Sequence, residues 1–321
     1  LEVHFIKESL SRWNSFTKDD EIEFSGIPKE LTDEVLAQKQ PEILLKADYA
    51  ARYHMANMIE SGFVHSDFNM RDPEIGYNPD PQRNRMNKAL RCAIRYAYNW
   101  EERNRTMYTG LGVIFPGIIP PVTPEFDPQG STASLEHNPE KGKALLEQAG
   151  WTTEQLPVIN YGGVASVTTR QMFEQFRGWM SKIGYPKDKI TFNSFATFGD
   201  FNKAVKQAKI KFVGMGWGLD YPDAENTLQL FYGPNGSPGS NNANFDNPEY
   251  NELYRRTAVM QPSDERTRLY RRMNDIVLDE CVSISGLSRR RIMLWHKDVV
   301  SFPDRQIVGG FHFKYVDKLD D

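Results

Sequence analysis

Between residues 138 and 232, short apolar runs alternate with amphipathic segments, and this alternation constrains the fold more than any other feature of the sequence. Strands that alternate with helices of about 10–20 residues form a largely parallel sheet with right-handed crossovers. The sequence therefore predicts an α/β fold in which helices flank a mixed, mostly parallel sheet. The predicted elements are strand 156–161, helix 166–184, strand 190–195, helix 198–208 and strand 210–217.

Further helices are marked by their first residues. Asn138 and Asn247 each stand before a proline, which places an amide N-cap next to the residue best suited to the first helical position. Ser263 precedes two acidic residues, which are favourable near the positive end of a helix dipole. Apolar residues at helical spacing predict a long helix over 83–100, and Asn99 is a suitable cap for a short helix after it.

The stretch 210–232 predicts a strand, a sharp turn and a helix. Gly216 lies inside the predicted strand, where a glycine usually marks a bulge or the close approach of another group. Pro222 cannot continue a central strand, and Asp223 is a good N-cap for a helix over 224–231.

Trp217 and Asp220 lie where that predicted strand ends and the helix begins. In α/β folds this edge opens into a crevice in which ligands bind. An aromatic surface beside a carboxylate suits a ligand with an apolar body and a cationic end. The alternative role for Asp220 is to accept hydrogen bonds from backbone N–H groups of the turn, because aspartate is common in turns.

Composition excludes several classes of protein. The 321 residues include 39 Lys and Arg against 43 Asp and Glu, so there is no basic excess for a nucleic-acid partner. No apolar run approaches the roughly 18 residues of a membrane span. We interpret Cys92 and Cys281 as two buried thiols, since free cysteine is among the most buried residue types. A disulfide between them, in an oxidising compartment, is the alternative.

The sequence contains no G-x-S-x-G, H-E-x-x-H, Walker or G-x-G-x-x-G motif, and its histidines show no metal-ligand spacing. Asp220 and Asp223 are a conceivable glycosidase pair. Such enzymes place two carboxyl groups about 5–10 Å apart, usually on different strands. Two acids in one turn, one of them a predicted helix cap, fit that arrangement poorly. We therefore predict no catalytic residue, metal or cofactor.

Several passages resemble a known family. The motif W-x-x-D-Y-P-D at 217–223, followed by F-D-N-P-E-Y at 245–250, resembles the oligopeptide- and dipeptide-type (family 5) solute-binding proteins of ABC importers. The sequence R-N-R-M-N-K-A-L-R-C-A-I at 83–94 and the passage 138–150 are similar to that family too. The resemblance implies a periplasmic-binding-protein-like (type II) lobe and a ligand cleft between two lobes.

The resemblance also implies ligand-binding residues. Gly216, Trp217, Asp220 and Tyr221 match the family motif, in which the aspartate pairs with the α-ammonium group of a peptide. In the run 289–291 we take Arg290 as a partner for a ligand carboxylate, although such charge runs usually decorate a solvated turn.

The implied function is that of the substrate-binding component of an ABC importer. Peptides are the expected ligands, with sugars, metal chelates, haem and opines as alternatives and a hydrolase using the two aspartates as another. The expected partner is an ABC permease in the membrane, and the expected state is a periplasmic or cell-surface monomer without a cofactor. The Gly- and Asn-rich stretch 233–243 predicts a surface loop, either at a ligand mouth or simply solvated.

The resemblance implies that the chain is a carboxy-terminal portion. Trp13, Phe16 and the acidic run 19–23 are similar to a family passage, W-x-x-F-x-x-G-E-x-D, but depart from it at the glycine and the final aspartate. In the family this passage lies near the middle of the polypeptide, after an amino-terminal lobe and a signal sequence. We predict that the isolated chain binds peptides far more weakly than the complete protein. The predicted parts are a hinge-proximal segment (1–80), a carboxy-terminal α/β lobe (81–300) and a segment returning to the amino-terminal lobe (301–321).

Overall fold

The structure is a computed structural model. The residues that it describes are 4, 6, 8–18, 23–301 and 317–318. Most of the acidic run, 19–22, lies outside the described residues, and so does the predicted segment 301–321 apart from 301, 317 and 318.

The chain divides into two compact units, each built from separate segments of the sequence. Unit 1 takes its described residues from 1–60, 104–113 and 289–321, and unit 2 comprises 61–103 and 114–288. The predicted division into three consecutive parts, 1–80, 81–300 and 301–321, concerns the hinge and lobes of the complete protein. It stays a prediction.

Helices and strands alternate along most of the described chain. The α-helices in this part are α1 (Ser9–Thr17), α2 (Thr32–Val35), α3 (Ala47–Arg52), α4 (Pro81–Ala97), α5 (Trp100–Met107), α6 (Pro139–Gln148), α7 (Val167–Lys182), α8 (Phe198–Lys206), α9 (Glu225–Leu228), α10 (Pro248–Thr257) and α11 (Asp264–Asp279). The strands are β1 (Glu23–Ser25), β2 (Leu36–Gln38), β3 (Leu44–Leu45), β4 (Tyr53–Ile59), β5 (Gly62–Phe68), β6 (Val113–Ile114), β7 (Ile159–Val164), β8 (Ile190–Phe195), β9 (Phe212–Gly218), β10 (Ser283–Ser288), β11 (Arg290–His296), β12 (Val299–Ser301) and β13 (Asp317–Lys318).

A six-stranded mixed sheet forms the centre of unit 2, in the order β6-β10-β5-β9-β7-β8. β7 runs parallel to both β8 and β9, as the alternation of strands and helices predicts. β5 runs antiparallel to both β9 and β10. The mixed sheet with flanking helices is therefore confirmed. The antiparallel pairings involve β5 and β10, which lie before and after the alternating region 138–232 in the sequence.

Most helices of unit 2 begin at side-chain caps, each of which typically contributes about 1 kcal/mol to stability. The predicted caps at Asn99, Asn138, Asn247 and Ser263 all accept hydrogen bonds from backbone N–H groups of the first helical turn. Asp80, which was not predicted, caps α4 by accepting from two N–H groups. These local signals explain why the helix starts follow so closely from the sequence.

β5 is the central strand that the sequence pattern does not reveal. Its buried residues include His65, Ser66 and Asp67, so the apolar alternation typical of a strand is absent. These polar groups are satisfied inside the protein: His65 Nδ1 lies 2.9 Å from the Asp67 carboxylate, and Ser283 Oγ of β10 donates to that carboxylate at 2.6 Å. Burial of polar groups is tolerated when they are hydrogen-bonded to each other.

Unit 1 contains a three-stranded antiparallel sheet in the order β1-β11-β4. Helix α1 packs Trp13 and Phe16 into a core that also contains Tyr53 and Leu294. The spacing of three between these two aromatic residues of α1 is what places them on one helical face.

One interpretation from the sequence was wrong, and another was right only in part. Cys92 and Cys281 are joined in a disulfide that ties α4 to the turn after α11, 189 residues apart in the sequence. The arginine run 289–291 is a solvated turn only in part: Arg289 is exposed between β10 and β11, whereas Arg290 and Arg291 begin strand β11. Sequence spacing does not show which cysteines meet in space.

Candidate functional site

The parallel strands β7, β8 and β9 end at one edge of the unit 2 sheet. β9 pairs with β5 along its whole length, but with β7 only through Phe212 and Val213. No other described strand pairs with residues 214–218, so one side of this stretch offers backbone groups without a strand partner. An extended chain can add to such an edge through main-chain hydrogen bonds.

Trp217 and Asp220 are brought together at the end of β9 by a residue that sequence reasoning missed. Asn226, which is buried, accepts through its Oδ1 from Trp217 Nε1 at 2.9 Å and from the backbone N–H of Asp220 at 3.2 Å. Its Nδ2 donates weakly to Asp220 Oδ2 at 3.4 Å. The available signal is an amide side chain in the segment that follows the turn, six residues after Asp220.

The side chain of Asp220 is exposed. Within the described part of the chain, the weak bond from Asn226 is the only hydrogen bond to its carboxylate, and no cationic side chain pairs with it. The prediction that Asp220 itself bonds the N–H groups of the turn differs from this geometry, in which Asn226 accepts from the turn. The Asp220 carboxylate is thus free to pair with a cation.

Asp223, three residues further on, has a structural environment. Its Oδ1 accepts from the backbone N–H of Glu225 at 2.9 Å, and its Oδ2 accepts from Arg266 at 2.7 Å. Arg266 also contacts the buried Glu125 at 3.1 Å, and Glu125 accepts from the N–H of Ala224. With both of its oxygens occupied, Asp223 is poorly suited to serve as one half of a hydrolase carboxylate pair. Its predicted cap role is close to what forms, since α9 begins at Glu225.

Tyr221 is exposed, and its hydroxyl donates to Glu225. Glu225 also accepts from Tyr254 of α10. Partial burial and the bond to Glu225 raise the pKa of the Tyr221 hydroxyl above its usual value. The pKa of Tyr254 is raised as well, by burial first and by Glu225 second. Both hydroxyls therefore remain donors at neutral pH, and the bond from Tyr254 fixes the turn to α10.

Gly216 is exposed on β9. A Cβ atom built on it would have the backbone oxygen of Phe63 as its nearest neighbour, at 3.8 Å. The described protein therefore leaves open space over this glycine. The structure brings Gly216, Trp217, Asp220 and Tyr221 into one strand and turn.

Arg290 lies in unit 1 and is described there by itself. Its Nη1 donates to Asn57 at 2.7 Å, while its Nε has no hydrogen-bond partner among the described residues. The arginine lines a cavity of about 210 Å³ together with Lys29, Glu60 and Arg289, the last two of which form an ion pair at 2.8 Å. Positive charge exceeds negative charge in this lining.

A buried cluster in unit 2 contains the residue types of a catalytic triad without its bonding pattern. His65, Asp67 and Ser283 include the residue types of a catalytic triad, but the serine hydroxyl bonds the aspartate and not the histidine, and all three are buried. The described chain contains no group of three or more His, Cys, Asp or Glu that could hold a metal ion. In the same part, no helix has the length and apolar character needed to cross a membrane.

The Gly- and Asn-rich stretch has more internal structure than a solvated loop. Asn241, Ala243 and Asn244 are buried. Asn241 Nδ2 donates to the carbonyls of Tyr232 and Phe245 at 3.0 and 2.8 Å. Whether the segment lines a ligand mouth stays a prediction.

Known proteins resemble the chain in sequence. The profile described as "Bacterial extracellular solute-binding proteins, family 5 Middle" matches residues 1–239. The chain is 25% identical over 197 residues to heme-binding protein A of Haemophilus influenzae, covering 60% of this chain and 34% of that protein. It is 24% identical over 199 residues to the dipeptide-binding protein of Escherichia coli, covering 61% of this chain and 36% of that protein. The matches span about a third of the length of these relatives.

Solved structures share the fold. HbpA2 from Haemophilus parasuis superimposes with a TM-score of 0.73 at 18% identity, covering 98% of this chain and 57% of that one. The periplasmic binding protein DppA from Helicobacter pylori, in complex with the peptide STSA, gives 0.74 at 16% identity, covering 98% and 56%. These likenesses confirm the predicted type II periplasmic-binding-protein fold.

Proposed function

Because the chain belongs to the bacterial extracellular solute-binding proteins of family 5, we propose that the complete protein captures peptides for import. The observation that carries the proposal is the free edge of β9 at 214–218, which leads directly to the exposed carboxylate of Asp220. A main-chain edge recognises any extended peptide, whatever its side chains. A carboxylate at the end of that edge suits the one cation that every unmodified peptide carries, its α-ammonium group.

Each predicted site residue has a role in this proposal. Asp220 pairs with the α-ammonium group, and Asn226 holds the turn in place for it. Trp217 and Tyr221 offer apolar ring surface beside the carboxylate, and Gly216 leaves room for the ligand backbone. For Arg290 the proposal is separate: its guanidinium lines a cavity with an excess of positive charge and is a partner for a ligand carboxylate.

The proposed setting is that of a transport system. The family consists of extracellular binding proteins, and one of the relatives is a dipeptide-binding protein. The disulfide between Cys92 and Cys281 supports an oxidising compartment, since disulfides are rare in the cytosol. We propose a periplasmic or cell-surface monomer, exported by a signal sequence on the complete protein, that delivers its ligand to an ABC permease.

The proposal includes no catalysis. Peptide and oligosaccharide libraries incubated with the protein should therefore remain intact when followed by mass spectrometry. Turnover that disappears in Asp220→Asn or Asp223→Asn would instead favour a hydrolase.

The direct test compares two forms of one peptide. The complete wild-type protein is titrated by calorimetry with a free-amine peptide and with its N-acetylated form, and native mass spectrometry identifies any solute that co-purifies. We expect the acetylated form to bind at least about 30-fold more weakly, because an unpaired carboxylate then faces a neutral amide. Equal affinities would rule out the amine anchor and redirect the ligand class towards sugars or other neutral solutes.

A further inference from the structure

A cavity of about 670 Å³ in unit 2 reaches the disulfide between Cys92 and Cys281. Both cysteines line it, together with residues of α4, α11 and the segment 116–136 between β6 and α6. The exposed residues Ser131, Ala133 and Asp279 are also part of its lining, so the cavity opens to solvent. The proposed capture of peptides makes no use of this cavity.

The two cysteines differ in how far solvent reaches them. Cys92, on α4, is half-buried, whereas Cys281 is only 1% exposed. In thiol–disulfide exchange a thiolate attacks one of the two sulfurs, and access to that sulfur is among the factors that set the rate. The cavity therefore presents Cys92 Sγ to an entering thiol, and Cys281 is the sulfur that leaves.

Hydrogen bonds join the same two elements beside the disulfide. Arg91 and Arg95 lie on the face of α4 that carries Cys92, since residues three and four apart are neighbours on a helix. The buried Arg91 donates to the backbone oxygen of Glu280 at 3.0 Å, and Arg95 donates to that of Leu278 at 2.7 Å. Hydrogen bonds from charged donors are stronger than those between neutral groups. The end of α11 should therefore stay on α4 when the disulfide is open.

We propose that the Cys92–Cys281 disulfide is a thiol–disulfide exchange site, which a small dithiol reduces while the protein remains folded. One thiolate of the dithiol bonds to Cys92 Sγ, the bond between the protein sulfurs breaks, and the Cys281 thiolate leaves and takes up a proton. The second thiolate of the dithiol then attacks the reductant sulfur bound to Cys92.

The exchange is balanced. The dithiol is oxidised to a disulfide, its two protons end on the two cysteines, and two electrons pass to the protein. Reoxidation by a disulfide reverses both steps. The protein then has a folded oxidised form and a folded reduced form, and this property is independent of peptide binding.

The test treats the complete protein with reduced dithiothreitol in the absence of denaturant. Free thiols are then alkylated with iodoacetamide, and mass spectrometry maps Cys92 and Cys281. We expect a rate of reduction that rises in proportion to the dithiothreitol concentration. The reduced protein should still unfold cooperatively, at a melting temperature lower by at most about 10 °C. A rate independent of dithiothreitol, or a reduced protein without a cooperative transition, would overturn the proposal.

Two tryptophan variants test the route through the cavity. Ala133→Trp places bulk at the exposed part of the lining and should slow reduction at least about tenfold. Val259→Trp is the matched control, since Val259 is 85% exposed and lies between α10 and α11 rather than along the cavity. It should leave the rate unchanged. Equal rates in the two variants would show that the dithiol enters elsewhere and would overturn the proposal. If Ala133→Trp does not unfold cooperatively, Ser131→Trp provides the same test.

Single-cysteine variants identify the sulfur that is attacked. The Cys92 thiol of Cys281→Ser should react with iodoacetamide at least about tenfold faster than the Cys281 thiol of Cys92→Ser, because the cavity reaches the half-buried residue. Equal rates, or the reverse order, would contradict the assignment of Cys92. Thermal unfolding verifies that both variants fold, and the measurements on the wild type decide the proposal if either does not.

Discussion

Two polar segments follow β9 in unit 2, and they use their side chains in opposite ways. The first is the turn 219–226, which we call the site turn, and the second is the loop 233–245, which we call the amide loop. In the amide loop, Asn241 and Asn244 are buried and bond backbone groups of the same loop or of the residue before it. In the site turn, Asp220 remains exposed and has no cationic partner among the described residues.

The difference shows what to look for in a polar segment. Buried amides with complete hydrogen bonding build structure, because leaving such a group unpaired costs about 1–3 kcal/mol. An exposed carboxylate costs nothing in the free protein, so it is available for a ligand. In the site turn the two roles are divided between neighbours, with Asn226 buried and bonded and Asp220 exposed.

The largest effect expected is on ligand binding. Asp220→Ala should weaken a free-amine peptide by about 2–5 kcal/mol, or roughly 30- to several-thousand-fold, since a buried ammonium group loses its partner. The unfolding free energy should change little, because the carboxylate is exposed. Calorimetry and chemical denaturation measure the two quantities. Asp188→Ala, at another exposed aspartate, is the control. If stability falls while affinity holds, the site turn behaves like the amide loop.

The amide loop should show the reverse pattern. Asn241→Ala removes the donor to two carbonyl groups and the acceptor for the N–H of Phe245. We expect the unfolding free energy to fall by about 2–4 kcal/mol, because buried polar groups remain without partners. Asn242→Ala, at the next and half-buried residue, should cost less than about 1 kcal/mol. Denaturation curves decide this, and peptide affinity that falls along with stability would argue for a direct ligand role of the loop.

Asn226 should contribute both to stability and to ligand affinity. Asn226→Ala should lower stability by about 1–2 kcal/mol and also weaken a free-amine peptide about tenfold, because Trp217 and the Asp220 backbone lose a common acceptor. The acetylated peptide should be affected less. Asn251→Ala removes an amide that accepts from Gly233 of the amide loop and should lower stability alone. Equal losses for both peptides would assign Asn226 a purely structural role.

The sequence predicts the helix starts and most strands of unit 2 well, but it predicts the contacts between distant segments poorly. Helix starts depend on caps such as Asn138 and Ser263, which act within one turn and are therefore visible in the sequence. The predicted strand 156–161 instead forms as β7 at Ile159–Val164, because Pro157 has no N–H to give to a ladder.

Contacts between distant segments are not visible in this way. The buried polar strand β5, the Cys92–Cys281 disulfide and the bond from Trp217 to Asn226 all join side chains whose partners the local pattern does not specify. The motif at 217–223 located the turn. Only the structure distinguishes its two aspartates, because Asp220 is exposed whereas Asp223 is half-buried and pairs with Arg266.

The smallest expected effect is on stability at alkaline pH, to which the site turn should respond and the amide loop should not. The amide loop, residues 233–245, contains no titratable side chain, whereas the site turn contains Asp220, Tyr221, Asp223 and Glu225. Burial, and then the hydrogen bond to Glu225, raise the pKa of Tyr254. A tyrosine whose pKa is raised on folding stays protonated in the folded state while the unfolded chain begins to ionise near pH 10. Its contribution is therefore complete below about pH 10 and declines as the pH rises further.

The expected slope for each such tyrosine is a loss of up to about 1.4 kcal/mol per pH unit. Urea denaturation between pH 8 and 11 should show a steeper decline for the wild type than for Tyr254→Phe, which has no proton to lose at that position. At pH 8 the variant should be about 1 kcal/mol less stable, because Glu225 loses one of its two hydroxyl donors. The two stability curves should therefore converge as the pH rises. Parallel curves would mean that Tyr254 ionises equally readily in the folded and unfolded states, and that its bond to Glu225 does not hold the site turn to α10.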